Sequence, residues 1–148
     1  ISGNTNEAIK LATGDYIALL DHDDILPAFS LYEIVKTINE NKEAEFIYTD
    51  EDKLMEEKEN RIGPHFKPDY APDTLMSYNY ICHFSIFKKE LMDRLGGFRK
   101  EFDGSQDYDL IFRAVEQANQ VIHIPKILYH WRMNADSVAL SSDAKPYA

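Results

Sequence analysis

The sequence has no long apolar run, almost no cysteine and a deficit of basic residues. No apolar run approaches the roughly 20 residues that a membrane-spanning helix needs. The single cysteine, Cys82, excludes an intrachain disulfide. Only 16 basic residues stand against 26 acidic ones, and the net charge of −10 excludes the basic surface typical of nucleic-acid binding. The same charge repels a nucleotide diphosphate unless a cation intervenes.

What remains is the composition of an ordinary globular domain. The apolar fraction is 44% and the charged fraction 28%, and 148 residues suffice for one domain with a single core. The chain opens on Ile1-Ser2-Gly3-Asn4 rather than on Met. We therefore expect residues 1–148 to be a single domain-sized portion of a longer protein. The single cysteine fits a reducing compartment, and we expect localisation in the cytoplasm or at the inner face of the membrane.

The first half of the chain predicts a βαβ unit. A short helix over residues 6–12 precedes a continuous apolar run at residues 16–20, which is typical of a strand buried on both faces of a parallel sheet. A helix follows, with Ser30 and Glu33 as its predicted capping box. Its predicted apolar stripe is Leu31, Ile34, Val35 and Ile38, and a second strand is predicted at residues 45–49. The fold class predicted is α/β, with a layered and mainly parallel sheet.

The second half alternates less regularly. Residues 54–63 predict a hairpin or loop, and residues 64–80 are rich in proline and aromatic side chains. Predicted after them are a strand at 84–87, a helix at 88–95 that Gly96-Gly97 ends, an amphipathic helix around residues 108–115, and one or two strands at 121–132 with an edge or break at Pro125.

The acidic run Asp21-His22-Asp23-Asp24 directly follows the first strand. Ligands of parallel α/β sheets bind outside the carboxyl ends of strands. Carboxylates this close repel one another, and Mg²⁺ or Mn²⁺ relieves the repulsion while also binding substrate phosphate. The run therefore predicts a metal site; the alternative is that these aspartates cap the following helix.

Two further patterns carry polar groups suited to a site. Asp107 stands near the start of an amphipathic helix, and Asp109 projects to nearly the opposite side, so the two cannot serve one site. Asp107 alternatively only stabilises the helix N-terminus. In a strand, His130 and Arg132 would share a face, where imidazole suits a metal and guanidinium a diphosphate. The alternative for that pair is an ordinary surface position.

Three groups are less specific. The cluster Asp50-Glu51-Asp52 is a candidate for the acceptor side or for orienting a loop, and a solvated turn is the favoured alternative. We interpret the remaining histidines of the later chain, His65, His83 and His123, as structural. The aromatic residues Phe66, Tyr70, Tyr78 and Tyr80 form either a sugar-stacking wall or ordinary loop packing.

In order and spacing, these motifs resemble family 2 glycosyltransferases with the GT-A fold. The run from Asn4 through Ala-Thr-Gly-Asp-Tyr-Ile-Ala-Leu-Leu-Asp-His-Asp-Asp is similar to the segment leading into the family's metal-binding DxD motif. Tyr-Thr-Asp-Glu-Asp-Lys and Phe-Lys-Pro-Asp resemble the branch that makes bacterial surface polysaccharides. Gly-Gly-Phe-Arg, Gln-Asp-Tyr-Asp-Leu with Arg113, and the closing Tyr-His-Trp-Arg resemble its base-bearing segment and its last strand.

The resemblance implies an inverting transfer of a sugar from a nucleoside-diphosphate donor to a saccharide or lipid-linked saccharide hydroxyl. It makes Asp107 the general base. Asp23, Asp21 and His130 become metal ligands for Mn²⁺ or Mg²⁺, and Asp21, Asp23 and Arg132 contact the donor.

Two departures from the family pattern stand out. Gln106 replaces a glutamate that the family often has before its base. Only about twenty residues precede the DxD motif, so we expect residues 1–148 to be the C-terminal-side portion of a GT-A domain, without the first strands, which grip the nucleotide base. We therefore expect the chain alone to be inactive and to self-associate. The alternatives are a phosphohydrolase of the haloacid dehalogenase type, whose later Gly-Asp-x-x-x-Asp cluster we do not find, and a non-catalytic acidic cation-binding domain.

Overall fold

In the computed structural model, residues 1–55 and 60–133 are described, and they form a mixed sheet between helices. In chain order the elements are α1 (Ser2–Leu11), β1 (Tyr16–Leu19), α2 (Ser30–Glu40), β2 (Phe46–Met55), β3 (Asn60–His65), α3 (Pro72–Ser77), β4 (Ser85–Lys88), α4 (Lys89–Leu95), a 3-10 turn (Lys100–Phe102), α5 (Gln106–Gln117) and β5 (Val121–Met133). The α/β class predicted from the sequence is confirmed. None of the helices in these residues is long and apolar enough to span a membrane.

β2 is the strand around which the sheet is organised. One edge of β2 pairs with β5 in parallel over its whole length. The other edge pairs antiparallel with β4 over residues 46–48 and with β3 from residue 51 onward. β1 pairs antiparallel with the far edge of β4.

The sheet is therefore mixed rather than mainly parallel as expected, because among the described strands only the β2–β5 ladder is parallel. β1 and β2 do run in the same direction, as the βαβ pattern predicts, but they do not pair, because β4 lies between them. The chain returns to fill that gap only after the β2–β3 hairpin. Local pattern identifies β1 and β2 as strands but carries no information about which later strand inserts between them.

The crossover helix α2 is held to β5 by its first polar residues rather than by a capping box. The Ser30 hydroxyl donates to the carbonyl oxygen of Leu128 at 2.9 Å, and Glu33 pairs with Lys126 at 2.7 Å. The predicted capping box is thus wrong, and no side chain caps this helix. Of the predicted apolar stripe, Ile34 is buried, whereas Leu31 and Val35 are exposed.

β5 is a single strand that bulges at Pro125. Its register against β2 shifts twice between Thr49 and Glu51, so that Ile124 and then Ile127 and Tyr129 face successive β2 residues. Proline has no N–H to donate to a ladder, which accounts for an irregularity at this place. The bulge decides which side chains of residues 129–132 reach the end of β1.

Alternate residues of the central strands feed two apolar clusters on opposite faces of the sheet. Phe46, Tyr48 and Phe87 pack on one face against α1, α3, α4 and α5. Ile47 and Ile86 pack on the other face against α2 and β5. The result is a three-layer arrangement with α5 close beside β1.

The two glycines after α4 have different tasks. Gly96 ends the helix in a left-handed conformation, as predicted. At Gly97, where φ is +74°, an added Cβ would lie 2.5 Å from Oδ1 of Asn6. Asn6 makes two hydrogen bonds of 2.8 Å with the backbone of Phe98, so Gly97 allows α1 to hold the loop that leads to α5.

Candidate active site

A cavity of about 180 Å³ lies between the end of β1, the segment before β4 and the first turn of α5. Its polar lining includes Asp21, His83, Gln106 and Asp107. Asp21 and Asp107 are far apart in sequence, and the packing of Ile111 into the same core cluster as Ile17 brings them to one place. Two residues predicted separately as metal-side and base-side groups therefore line one cavity.

The acidic turn after β1 presents two of its three carboxylates outward. The side chain of Asp21 is 61% exposed and that of Asp23 is 41% exposed. The turn is closed by a hydrogen bond from the Asp24 N–H to the Asp21 carbonyl oxygen at 3.2 Å. The alternative that these aspartates cap α2 is wrong, since the residue flanking that helix is Phe29 and no side-chain cap is formed.

Asp24, the last acid of the run predicted as a metal site, instead anchors this turn to β5. One carboxylate oxygen accepts from the Arg132 N–H at 2.8 Å, and the other accepts from the Tyr129 hydroxyl. The Tyr129 oxygen in turn accepts from the Asp21 N–H at 3.3 Å. Burial raises the pKa of Asp24 against the opposing effect of these hydrogen bonds. Asp24 therefore has a structural role, which is to anchor the turn to β5.

His130 and Arg132 lie beside the acidic turn. The backbones of His130 and Ile25 exchange hydrogen bonds of 2.9 and 3.1 Å. The Arg132 Nε–H, one of the five N–H donors of a guanidinium, donates to the Asp23 carbonyl oxygen at 2.8 Å. The structure thus brings both residues to the turn that carries Asp21 and Asp23; their roles in binding remain predictions.

The His130 ring is oriented by a buried carboxylate. Its Nδ1 contacts Asp52, which also accepts from Nε of Arg61 at 2.6 Å. The Asp52 side chain is 3% exposed and that of His130 is 12% exposed. An ionised carboxylate only accepts hydrogen bonds, so Nδ1 of His130 is the donor in this contact. A carboxylate behind an imidazole is the usual support for a metal-binding histidine.

A metal ion fits this region only in the manner of a shared site. Within residues 1–55 and 60–133, no three histidine, cysteine, aspartate or glutamate side chains are gathered as a metal cluster. Mg²⁺ and Mn²⁺ are, however, commonly held by one or two carboxylates together with substrate phosphate oxygens. The exposed Asp21 and Asp23 supply such carboxylates, and the lone pair of His130 suits a further ligand.

Asp107 lies in the first turn of α5 and faces the cavity. Its Oδ2 accepts a hydrogen bond of 3.2 Å from the amide nitrogen of Gln106. The Gln106 amide oxygen accepts from the Gly104 N–H at 2.7 Å, which fixes which end of the amide faces the carboxylate. Where the family often has a second carboxylate, this chain therefore offers a hydrogen-bond donor to its candidate base.

Asp109 serves the scaffold, as its opposite direction on the helix predicts. Its buried carboxylate is bound by Arg99 and, at 2.7 Å, by Arg113. Arg113 also donates to the carbonyl oxygens of Leu95 and Gly97. Burial alone would raise the pKa of Asp109, but the hydrogen bonds from Arg99 and Arg113 outweigh it and hold that pKa below its ordinary value.

The acidic cluster of residues 50–52 is buried within β2, so the solvated turn is wrong. Asp50 accepts from the Lys67 N–H at 2.9 Å and contacts Nε2 of His123 at 2.8 Å. Glu51 accepts from the His83 N–H at 3.0 Å. These contacts match the loop-orienting interpretation of the cluster. None of the three lines the cavity of Asp107, and an acceptor-side role for Asp50, Glu51 and Asp52 stays an untested prediction.

Two of the three histidines interpreted as structural are held in pairs with carboxylates. His123 is buried against Asp50 and stacks on Tyr48, and His65 lies 3.4 Å from Glu51. His83 is different, because it lines the cavity and its Nε2 is 3.7 Å from Asp21. It stands in a stretch without periodicity, and no pattern in the sequence marks it.

The aromatic segment does not form one wall. Tyr80 is fully buried and packs edge-on against Tyr48 at 6.0 Å. Phe66, Tyr70 and Tyr78 are exposed to different degrees. Loop packing accounts for Tyr80, and the exposed residues lie outside the cavity lining.

Comparison with known proteins identifies relatives of the sequence. The family model described as Glycosyl transferase family 2 matches residues 1–96. The uncharacterized protein y4gI of Sinorhizobium fredii is 47% identical over 150 residues, which cover 100% of this chain and 16% of the relative. The O-antigen biosynthesis protein RfbC of Myxococcus xanthus is 38% identical over 128 residues, covering 86% of this chain and 10% of the relative. The chain thus spans a small part of these relatives.

Solved structures share the fold. TarS from S. aureus, in complex with UDP-GlcNAc, superposes with a TM-score of 0.72 at 16% identity over 96% of this chain and 41% of that chain. The mannosyltransferase PcManGT from Pyrobaculum calidifontis, in complex with GDP-Man and Mn²⁺, gives a TM-score of 0.58 at 19% identity over 88% of this chain and 35% of that chain. Identities this low carry the fold alone, and that fold is the GT-A type expected from the sequence.

Proposed function

We propose, from the premise that the chain belongs to glycosyl transferase family 2, that its protein transfers a sugar from a nucleoside-diphosphate donor to a hydroxyl of a surface polysaccharide under construction. The observation that carries the proposal is the single cavity lined by Asp21 and Asp107. A candidate metal-side carboxylate and a candidate base that line one cavity could serve the two needs of displacement at an anomeric carbon, which are stabilisation of the leaving group and removal of the acceptor proton.

Relatives support the class of substrate. RfbC is named as an O-antigen biosynthesis protein, and a chondroitin synthase of Pasteurella multocida is 22% identical over 142 residues. TarS binds UDP-GlcNAc in its crystal structure. A donor of the nucleotide-sugar class and a saccharide acceptor, free or lipid-linked, are consistent with all three names. Membership in the family argues against the phosphohydrolase alternative.

The proposed reaction is a single in-line displacement with inversion. The acceptor oxygen forms a bond to the anomeric carbon as the bond from that carbon to the diphosphate oxygen breaks. The departing nucleoside diphosphate takes the electron pair, and the acceptor proton passes to Asp107. A carboxylate within hydrogen-bond reach of the acceptor hydroxyl can take that proton.

The leaving diphosphate needs compensation for its charge in a chain of net charge −10. Asp23, Asp21 and His130 would hold a Mn²⁺ or Mg²⁺ ion, which when bound neutralises the leaving group. Asp52 contacts Nδ1 of His130, which leaves Nε2 as the ring nitrogen that would face a metal. Arg132 adds a guanidinium whose geometry matches phosphate oxygens.

The metal assignment is tested by titrating Mn²⁺ into the full-length protein with a nucleoside diphosphate present. Wild type is compared with Asp23→Ala and with a matched control, Asp15→Ala, which removes an exposed aspartate before β1. Loss of Mn²⁺ binding in Asp23→Ala alone supports the site, and equal binding by all three proteins rejects it.

Transfer itself is tested on the same protein by incubation with nucleotide sugars and polysaccharide primers. Release of nucleoside diphosphate together with a lengthened acceptor supports the proposed function. Mn²⁺ binding without donor hydrolysis or transfer would instead support the non-catalytic cation-binding alternative.

A further inference from the structure

A buried ion pair outside the proposed chemistry holds a wall of the cavity. The Lys67 side chain is fully buried and that of Glu51 is 10% exposed. The ammonium nitrogen lies 3.3 Å from Oε2 of Glu51 and 2.5 Å from the carbonyl oxygen of Ile81, and it also donates to the carbonyl oxygen of His83. An ammonium has three N–H donors, and these three acceptors use all of them.

The same pair grips His83 from both sides. Oε2 of Glu51 accepts from the His83 N–H at 3.0 Å, while Lys67 binds the carbonyl oxygen of that residue. The Glu51 carboxylate therefore joins the lysine to the backbone it holds. The main chain of one cavity-lining residue is fixed by two charged groups.

The His83 ring is held as well as its backbone. It stacks on the Tyr129 ring with centroids 4.8 Å apart and planes at 12°. Its Nε2 faces Oδ2 of Asp21 at 3.7 Å, on the cavity lining shared with Asp107. An imidazole in this place can donate a hydrogen bond to an anion that lies beside Asp21.

Stability alone explains this arrangement poorly. Taking two charges out of water costs roughly as much as their attraction returns, and buried ion pairs are often replaceable by apolar residues without loss of stability. What the pair does supply is a fixed backbone, since both charged groups hydrogen-bond to the main chain of residues 81–83. An ion pair that costs free energy to bury but fixes one backbone segment is typical of a site that must be preorganised.

We propose that the Glu51–Lys67 pair is a positioning device for donor binding, which holds His83 so that its imidazole donates a hydrogen bond to the diphosphate of the nucleotide sugar. The inference rests on the proposed function. It assigns His83 as a binding residue and Glu51 and Lys67 as positioning residues. It also gives roles to Glu51 and Lys67, two charged residues that the proposed reaction leaves unused.

The first experiment measures nucleotide affinity of the full-length protein by calorimetry. UDP, dTDP and GDP with Mn²⁺ serve as probes, and the tightest is used throughout. His83→Phe keeps an aromatic ring for Tyr129 but removes the N–H. A lost hydrogen bond to a charged group corresponds to roughly a 10- to 100-fold rise in Kd, whereas unchanged affinity would overturn the role of His83.

The second experiment is a double-mutant cycle. Glu51→Gln alone leaves a buried ammonium without its charge partner and risks misfolding, so the variant used is the double replacement Glu51→Gln with Lys67→Met. It is expected to weaken nucleotide binding in wild type but not further in the His83→Phe background. Additive losses in the two backgrounds would show a general structural role and overturn the positioning role.

A readout independent of nucleotide is a crystal structure of that double replacement. The His83 ring is expected to leave its stacked place on Tyr129, and a ring still stacked at the original distance would overturn the inference. If wild type binds no nucleotide, the proposed function fails. A displaced ring would still establish that the Glu51–Lys67 pair holds His83 in place. The two failures are therefore distinguishable.

Discussion

At the scale of single residues, direction on a helix separates two aspartates of one motif. Asp107 faces the cavity with Gln106, whereas Asp109 is enclosed by Arg99 and Arg113. Both are acids in the same turn of α5. The same exchange of carboxylate for amide should therefore have different consequences at the two positions.

Asp107→Asn is expected to leave nucleotide affinity near that of wild type and to lower kcat by roughly 10²- to 10⁴-fold, because the amide cannot take the acceptor proton. Steady-state kinetics of the full-length protein measure the turnover, and calorimetry measures donor binding. The control is Glu116→Gln, the same exchange at an exposed position of α5. Near-normal turnover, or affinity lost together with activity, would contradict the assignment as base.

Asp52→Leu is expected to weaken Mn²⁺ binding about 10- to 100-fold, because the His130 ring loses the acceptor that fixes its tautomer. Binding is measured from the free-Mn²⁺ signal by electron paramagnetic resonance with a nucleoside diphosphate present. Arg61→Gln, which removes the other partner of Asp52, is the control and should bind Mn²⁺ like wild type. Identical affinity in all three proteins would count against His130 as a ligand.

At the scale of elements, β2 links His83, which lines the cavity, with His130, which lies beside the acidic turn. Its second half carries Asp50, Glu51 and Asp52, which hold His123, the His83 backbone and His130 in turn. Successive side chains along a strand point to opposite faces, so neighbouring acids of this run contact partners on opposite sides of the sheet. The run of residues 50–52, which the sequence suggests is a polar strand end, is therefore a buried segment that holds three histidines in place.

The helices α4 and α5 should give the protein an acid-sensitive stability. Hydrogen bonding from Arg94 lowers the pKa of Glu45, and Arg99 with Arg113 lowers that of Asp109 against the effect of burial. A lowered folded pKa contributes stability that is present above the ordinary values of 4.5 and 3.8 and is lost as pH falls through the folded values. The free energy of unfolding should therefore decline as pH falls from about 5 to about 2.

Denaturant titrations at a series of pH values measure this decline. Asp109→Asn should flatten it, because the variant has no carboxylate to protonate at that position, and it should be less stable at neutral pH. Glu116→Gln should follow the wild-type curve. A wild-type curve that is level over this pH range would contradict the contribution of these carboxylates.

At the scale of the whole molecule, the sheet has a short edge at β1. Among the described residues β1 pairs only with β4, and an unpaired strand edge is a template for another chain. We therefore expect residues 1–148, studied alone, to self-associate in sedimentation experiments. Ala18→Lys places a charge on an exposed residue of that strand and should restore the monomer. Monomeric wild type at high concentration would contradict edge pairing.

Much of the architecture was predictable from local pattern. Apolar periodicity located the amphipathic α5, Gly96 marked the end of α4, and the acidic run marked the exposed turn after β1. These features depend on neighbours within a few residues, so the sequence contains their cause. The opposite directions of Asp107 and Asp109 follow in the same way from helix geometry.

Only the tertiary structure decided which distant segments meet. The insertion of β4 between β1 and β2, the burial of Asp50-Glu51-Asp52 and the cavity place of His83 all arise from pairings between strands far apart in the chain. From the sequence alone a carboxylate is predicted to be solvated, because a charge is tolerated in the interior only with a partner. Only the fold shows that a distant lysine or histidine supplies that partner. Local pattern determined most elements of this protein, although not α3 or the full length of β2. Long-range pairing determined the partners of its charged residues.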